Sequence, residues 1–120
     1  MDNNHILNYR SGVASIPRGR IVTHGADDET VVLANSAASL AIGVTTELAV
    51  QFVGERVDVV HAGFADVEAG AAYARGALLT ADATGRAVTA ATGNRVIGMA
   101  LASANAAGER RRILVKPSLA

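Results

Sequence analysis

Few side chains in this chain are suited to chemistry, and none stands in a constellation that performs it. The three histidines, His5, His24 and His61, lie far apart, and no two fall at the two- or four-residue spacing that brings metal ligands together. Asp27-Asp28-Glu29 is the densest run of carboxylates. It reads either as a divalent-cation loop or as a solvated turn, and it lacks the alternating oxygen ligands of an EF-hand. Neither Ser11-Gly12 nor Thr84-Gly85-Arg86 fits a nucleophile elbow, and no phosphate-binding glycine motif occurs. Cysteine is absent, which removes disulfides, thiolate metal sites and thiol nucleophiles together. The expectation is a protein with no catalytic residues, no bound metal and no cofactor.

Binding chemistry is equally sparse. A lipoyl or biotinyl carrier presents its lysine on a hairpin, whereas the single lysine here, Lys116, lies near the end of the chain. Tyr9, Phe52, Phe64 and Tyr73 are too scattered to form a stacking platform for sugars or single-stranded nucleic acid. Eleven basic and eleven acidic residues cancel, so no net field draws phosphate backbones or an anionic membrane. In a strand the middle member of Arg110-Arg111-Arg112 points away from its neighbours, which weakens that run as an anion site. Nucleic-acid and membrane partners are therefore not expected. The segment MDNNHILNYR has neither the basic nor the apolar region of a secretory signal, and no apolar run approaches the ~20 residues of a membrane span. Synthesis in the cytoplasm is expected.

The elements that must position these residues carry more information. A chain of 120 residues makes one domain, and at this size folding buries about two thirds of the exposable surface. Half the residues are hydrophobic but only 3% are aromatic, so Ala, Val, Leu and Ile must fill the interior. Gly54-Glu55-Arg56 and Gly108-Glu109-Arg110 each open a β-prone run, and Ile42-Gly43 and Ile97-Gly98 precede them at nearly equal distances. Upstream, Gly19-Arg20-Ile21-Val22 answers Gly76-Ala77-Leu78-Leu79, each followed by an aspartate-bearing turn. Residues 19–61 and 76–115 thus read as two divergent copies of one supersecondary unit joined by a connector, residues 62–75.

Within each copy the periodicity is that of strands. Val57 and Val59 share one face with Asp58 opposite, the alternation of a half-buried strand. Helical signals are confined to short stretches at residues 36–39 and 68–74. Each copy supplies about four short strands, and two such units cover each other best as a small closed β-barrel or compact β-sandwich, which also removes exposed strand edges. Gly43 and Gly98 are strand glycines, the mark of a bulge, a bend or a close backbone approach. Residues 1–18 have no evident counterpart and read as an extended N-terminal arm, leaving residues 19–120 as the single β domain.

The order of Gly19-Arg20-Ile21-Val22, Leu40-Ala41-Ile42-Gly43-Val44, Gly54-Glu55-Arg56-Val57, Gly76-Ala77-Leu78-Leu79, Gly85-Arg86-Ala87-Val88, Val96-Ile97-Gly98-Met99 and the last Gly-Glu-Arg strand resembles the capsid cement, or head decoration, proteins of tailed bacteriophages. The resemblance covers almost the whole chain, and the acidic turn after His24 departs from it. It implies a non-enzymatic structural protein of the virion, attached to the outer surface of a head and bridging major capsid proteins as a homotrimer. On that view the connector supplies the oligomer interface through Phe64 and Tyr73. The arm supplies the capsid contact through Ile6, Leu7, Tyr9, Arg10 and Ile16. The residues by themselves leave a second reading open, a small-ligand or carbohydrate-binding β-barrel module or small β-barrel enzyme that uses the acidic turn with His24 or His61.

Overall fold

The repeated Gly-Glu-Arg tripeptide closes the same loop twice. In a computed structural model, which describes residues 5–46 and 49–119, Gly54 and Gly108 turn with φ of 85° and 92°, a left-handed conformation open mainly to glycine. Their N–H groups donate to Ser11 O and Ala69 O respectively, both at 2.8 Å. Each glutamate folds back on its own loop: Glu55 Oε1 accepts from the Gln51 N–H at 2.8 Å, and Glu109 Oε1 accepts from the Asn105 N–H at 3.0 Å. The tripeptide is a loop clamp.

Those clamps sit in an all-β molecule of nine strands among the described residues: β1 (His5–Ser11), β2 (Ile21–His24), β3 (Thr30–Leu33), β4 (Gly43–Thr45), β5 (Arg56–Glu68), β6 (Leu78–Ala81), β7 (Ala87–Thr89), β8 (Arg95–Ala100) and β9 (Arg110–Leu119). The order β1-β3-β2-β4-β5 closes on itself because β1 also pairs with β5, which gives a five-strand barrel. The second unit, β5-β9-β8-β6-β7, curls the same way. A parallel bridge from Ala69 to Ala87 draws its ends together. Strand β5 serves both units: residues 56–62 pair with β1 in the first, and residues 63–68 pair with β9 in the second. Gly63, with φ of 103°, stands at the changeover.

The expected closed barrel is therefore present, with two corrections. Residues 5–11 are not an extended arm but strand β1, held by Ile6 opposite Val60, Leu7 opposite Val59 and Tyr9 opposite Val57. Residues 1–4 of that expected arm lie outside the described residues. The units also have five strands rather than four, because residues 63–68 of the supposed connector pair in the second unit as β1 does in the first. Ser11 lies opposite Val31 on the parallel partner of β1, as Ala69 lies opposite Ala87. The two segments set aside as unrepeated are each other's counterparts.

The strand glycines share one cause. A Cβ on Gly43 would collide with Val59 Cγ1 and Val60 O, and one on Gly98 would collide with Leu114 O. In both copies the Ile-Gly strand crosses its own Gly-Glu-Arg strand too closely for any side chain.

Two clusters form the core. Ile16, Val22, Val31, Val50, Val57 and Val59 fill the first barrel. Tyr73, Leu79, Ala87, Ile97, Ile113 and Val115 fill the second unit, and Ile21, Val44 and Val60 join them from the outer side of the first. Each Val or Ile fully removed from water in this way contributes roughly 1.5–3 kcal/mol. The same junction carries polar ties. Ile21 N–H donates to Gly85 O and Arg20 Nη1 to Thr84 O, both at 2.8 Å. Glu68 binds Arg20 at 3.3 Å and Arg86 at 3.6 Å.

Candidate functional site

Among the described residues, those suited to chemistry do not converge. No group of three His, Asp or Glu able to hold a metal ion occurs among the described residues. Asp27 spends its Oδ1 on its own turn, accepting from the Glu29 N–H at 2.9 Å. Its counterpart Asp82 does likewise, accepting from the N–H groups of Thr84 and Arg86 at 2.9 Å each and from the Thr84 hydroxyl at 3.1 Å. Burial opposes the charge on Asp82, but these donors and the Arg86 guanidinium outweigh it and hold the carboxyl below its ordinary value. At the end of the first barrel Tyr9 Oη and His61 Nε2 form a 2.8 Å hydrogen bond, with the rings stacked at 5.7 Å between centroids. Burial, and then His24, lowers the pKa of His61, which favours the neutral imidazole. This pair braces β1 against β5.

What remains is surface. On β1, Ile6 and Leu7 are about half exposed. Arg10 reaches along the neighbouring loop, Nη1 donating to Gly54 O at 3.4 Å. Tyr9 is half-buried against the first barrel's core. Ile16 is not a surface contact: it is 0% exposed, and its backbone bridges to Val50. Tyr73, expected at an oligomer interface, is only 6% exposed and occupies the equivalent place in the second unit, bridging to Ala104. Sequence reasoning took the larger apolar side chains as surface anchors, but burial here is set by which face of a bridging segment closes the barrel.

The strand registers show where Phe64 belongs. Ile21, Val44, Val60 and Ile6 lie directly opposite one another across β2, β4, β5 and β1. Leu78, Met99, Leu114 and Phe64 form the same row across β6, β8, β9 and β5. Phe64 is thus the counterpart of Ile6, and each is 47% exposed. Sequence reasoning did not single out Leu78, nor Phe52 and Val53 at the exposed tip of the loop before Gly54. Aligning the two copies strand by strand is the signal that finds the row.

The comparisons with known proteins agree with this architecture. A family model described as phage cement protein matches residues 1–117. No curated protein matches. One similar solved structure is the crystal structure of the N base of head fiber gp8.5 in bacteriophage phi29, with a TM-score of 0.74 and 18% identity over 98% of each chain, a likeness of fold. Matched by that model over nearly its full length, the chain belongs to the phage cement protein family and is a capsid-associated structural protein of the phage virion.

Proposed function

We propose that this protein, made in the host cytoplasm, binds the outer surface of an assembled head and bridges neighbouring major capsid proteins as a homotrimer. Family membership supports the capsid, and the duplication supports the bridge. The carrying observation is that Ile6 and Phe64 occupy equivalent positions in the two units and are equally exposed. A molecule that presents one contact twice suits two copies of one capsid subunit, and two linked weak contacts hold far more tightly than either alone. Arg10, on the same face of β1 as Ile6, extends the contact, Leu7 is exposed on the opposite face, and Tyr9 acts from below by bracing the strand through His61.

The test is cosedimentation with mature heads for wild type, Ile6→Asp, Phe64→Asp and the double variant. Each single variant is expected to bind at least tenfold more weakly and the double variant not at all, with melting temperatures close to wild type because both sites are surface positions. A folded double variant that binds heads like wild type refutes the assignment.

A further inference from the structure

The two equivalent rows differ in one respect. In the first unit Ile21 and Val44 are 0% exposed and Val60 is 4% exposed, because the second unit covers them. In the second unit Leu78 is 47% exposed, and Met99 and Leu114 are partly exposed. Together with Val96, Lys116 and Ser118 these three line an open groove of about 400 Å³. The molecule itself shows what fits such a row. The first row is covered by the turn between β6 and β7 and by the end of the second unit that carries Ala81, Ile97 and Val115. By the registers, the counterparts of those elements in the first unit are the turn between β2 and β3, residues 25–29, and the end that carries His24, Ile42 and His61.

We propose that copies of this chain join head to tail, the row Leu78-Met99-Leu114 of one copy docking on the His24-Ile42-His61 end and acidic turn of the next. The contact between units inside one chain is thereby repeated between chains. Charge complementarity favours this occupant. Lys116 stands two residues beyond Leu114 in the same groove, while Asp27, Asp28 and Glu29 are all exposed on the incoming turn. By analogy with the turn between β6 and β7, which meets Arg20 and Ile21, that turn settles beside their counterparts Ala77 and Leu78 on the β6 side of the groove. This assigns a place to the acidic turn. The contact between copies is weaker than the one within a chain. Ala77 replaces Arg20 on the row side, and two histidines replace Ala81 and Val115 on the receiving side. Such an interface is heterologous, and heterologous interfaces form rings when the rotation closes. The inference stands without capsid binding, since it concerns the isolated protein.

The experiment is sedimentation equilibrium of the purified chain, of Leu78→Glu, and of the double variant Asp28→Lys with Glu29→Lys, up to about 100 μM, a range that reaches weak interfaces. Wild type is expected to form a closed oligomer and each variant to be monomeric alone. Mixing the two variants is expected to give a one-to-one dimer, because each retains the half that the other lacks. That dimer also shows that both variants are folded. A wild type that stays monomeric throughout, an oligomer that Leu78→Glu leaves intact, or variants that do not pair when mixed overturns the proposal. Loss of head binding by Leu78→Glu in a monomeric wild-type background assigns the groove to the capsid protein instead.

Discussion

At the scale of single residues, the clearest consequences come from groups that play the same part twice. Glu55 and Glu109 each satisfy one loop N–H with a carboxylate oxygen. A charge-assisted bond of this kind is worth about 1.5–3 kcal/mol when partly screened from water. Glu55→Ala and Glu109→Ala are therefore expected to lower unfolding free energy by similar amounts, about 1–2 kcal/mol in urea titrations, and a loss at only one site would break the equivalence. Tyr73 is different. Its hydroxyl is buried with no hydrogen-bond partner among the described residues, and burial pushes its pKa up. Tyr73→Phe removes an unsatisfied polar group, so stability is expected to stay level or rise by up to about 1 kcal/mol. Among the described residues, two groups contribute to the acid response. His61 has a folded pKa below its ordinary 6.5, so the unfolded chain takes up the proton first and stability falls as pH drops below that value. Asp82 likewise binds its proton less readily when folded, and its contribution is full above 3.8 and lost as pH falls through the lowered folded value. A urea midpoint measured against pH should show both declines, and His61→Gln should remove the first.

At the scale of elements, the Gly-Glu-Arg turns and the Ile-Gly crossings were legible because both depend on glycine, whose requirement is written in the residue itself, whereas the fold-back of each glutamate onto its own loop was not. The fifth strand of each unit was not. HILNYRS in β1 and residues 63–68 of β5 share no side-chain pattern, and their equivalence rests on backbone pairing to Val59 and Val60 on one hand and to Ile113 and Leu114 on the other. The faint signals lay just beyond them, in Gly12 against Gly70 and in Arg18-Gly19 against Arg75-Gly76. Of the candidate site, Ile6, Leu7 and Arg10 are at the surface as expected, while Ile16 and Tyr73 are interior because barrel closure turns their segments inward. Since β1 completes the first barrel, deleting residues 2–10 exposes the unpaired edges of β3 and β5 together with the core at Val57 and Val59. That truncation is expected to unfold cooperatively at a far lower temperature, or to be insoluble. A truncated protein with the melting temperature of the full chain would show that β1 is dispensable to the barrel.

At the scale of the whole molecule, the fold is one five-strand unit made twice, closed as a barrel in the first copy, sharing a strand and stacked so that Ile21, Val44 and Val60 of the first are core while their counterparts Leu78, Met99 and Leu114 in the second are partly exposed. Tandem duplication explains the pairs of matching surface residues. A protein that stiffens a lattice needs repeated contacts more than chemistry. The central claim, that this fold serves to hold a phage capsid from outside, is tested most directly by adding the purified protein to mature heads that lack it. Sedimentation and the temperature at which the heads release DNA are then measured together. The account predicts saturable binding and release at a higher temperature. A protein that stays in the supernatant at every concentration, or that binds without raising the release temperature, contradicts it.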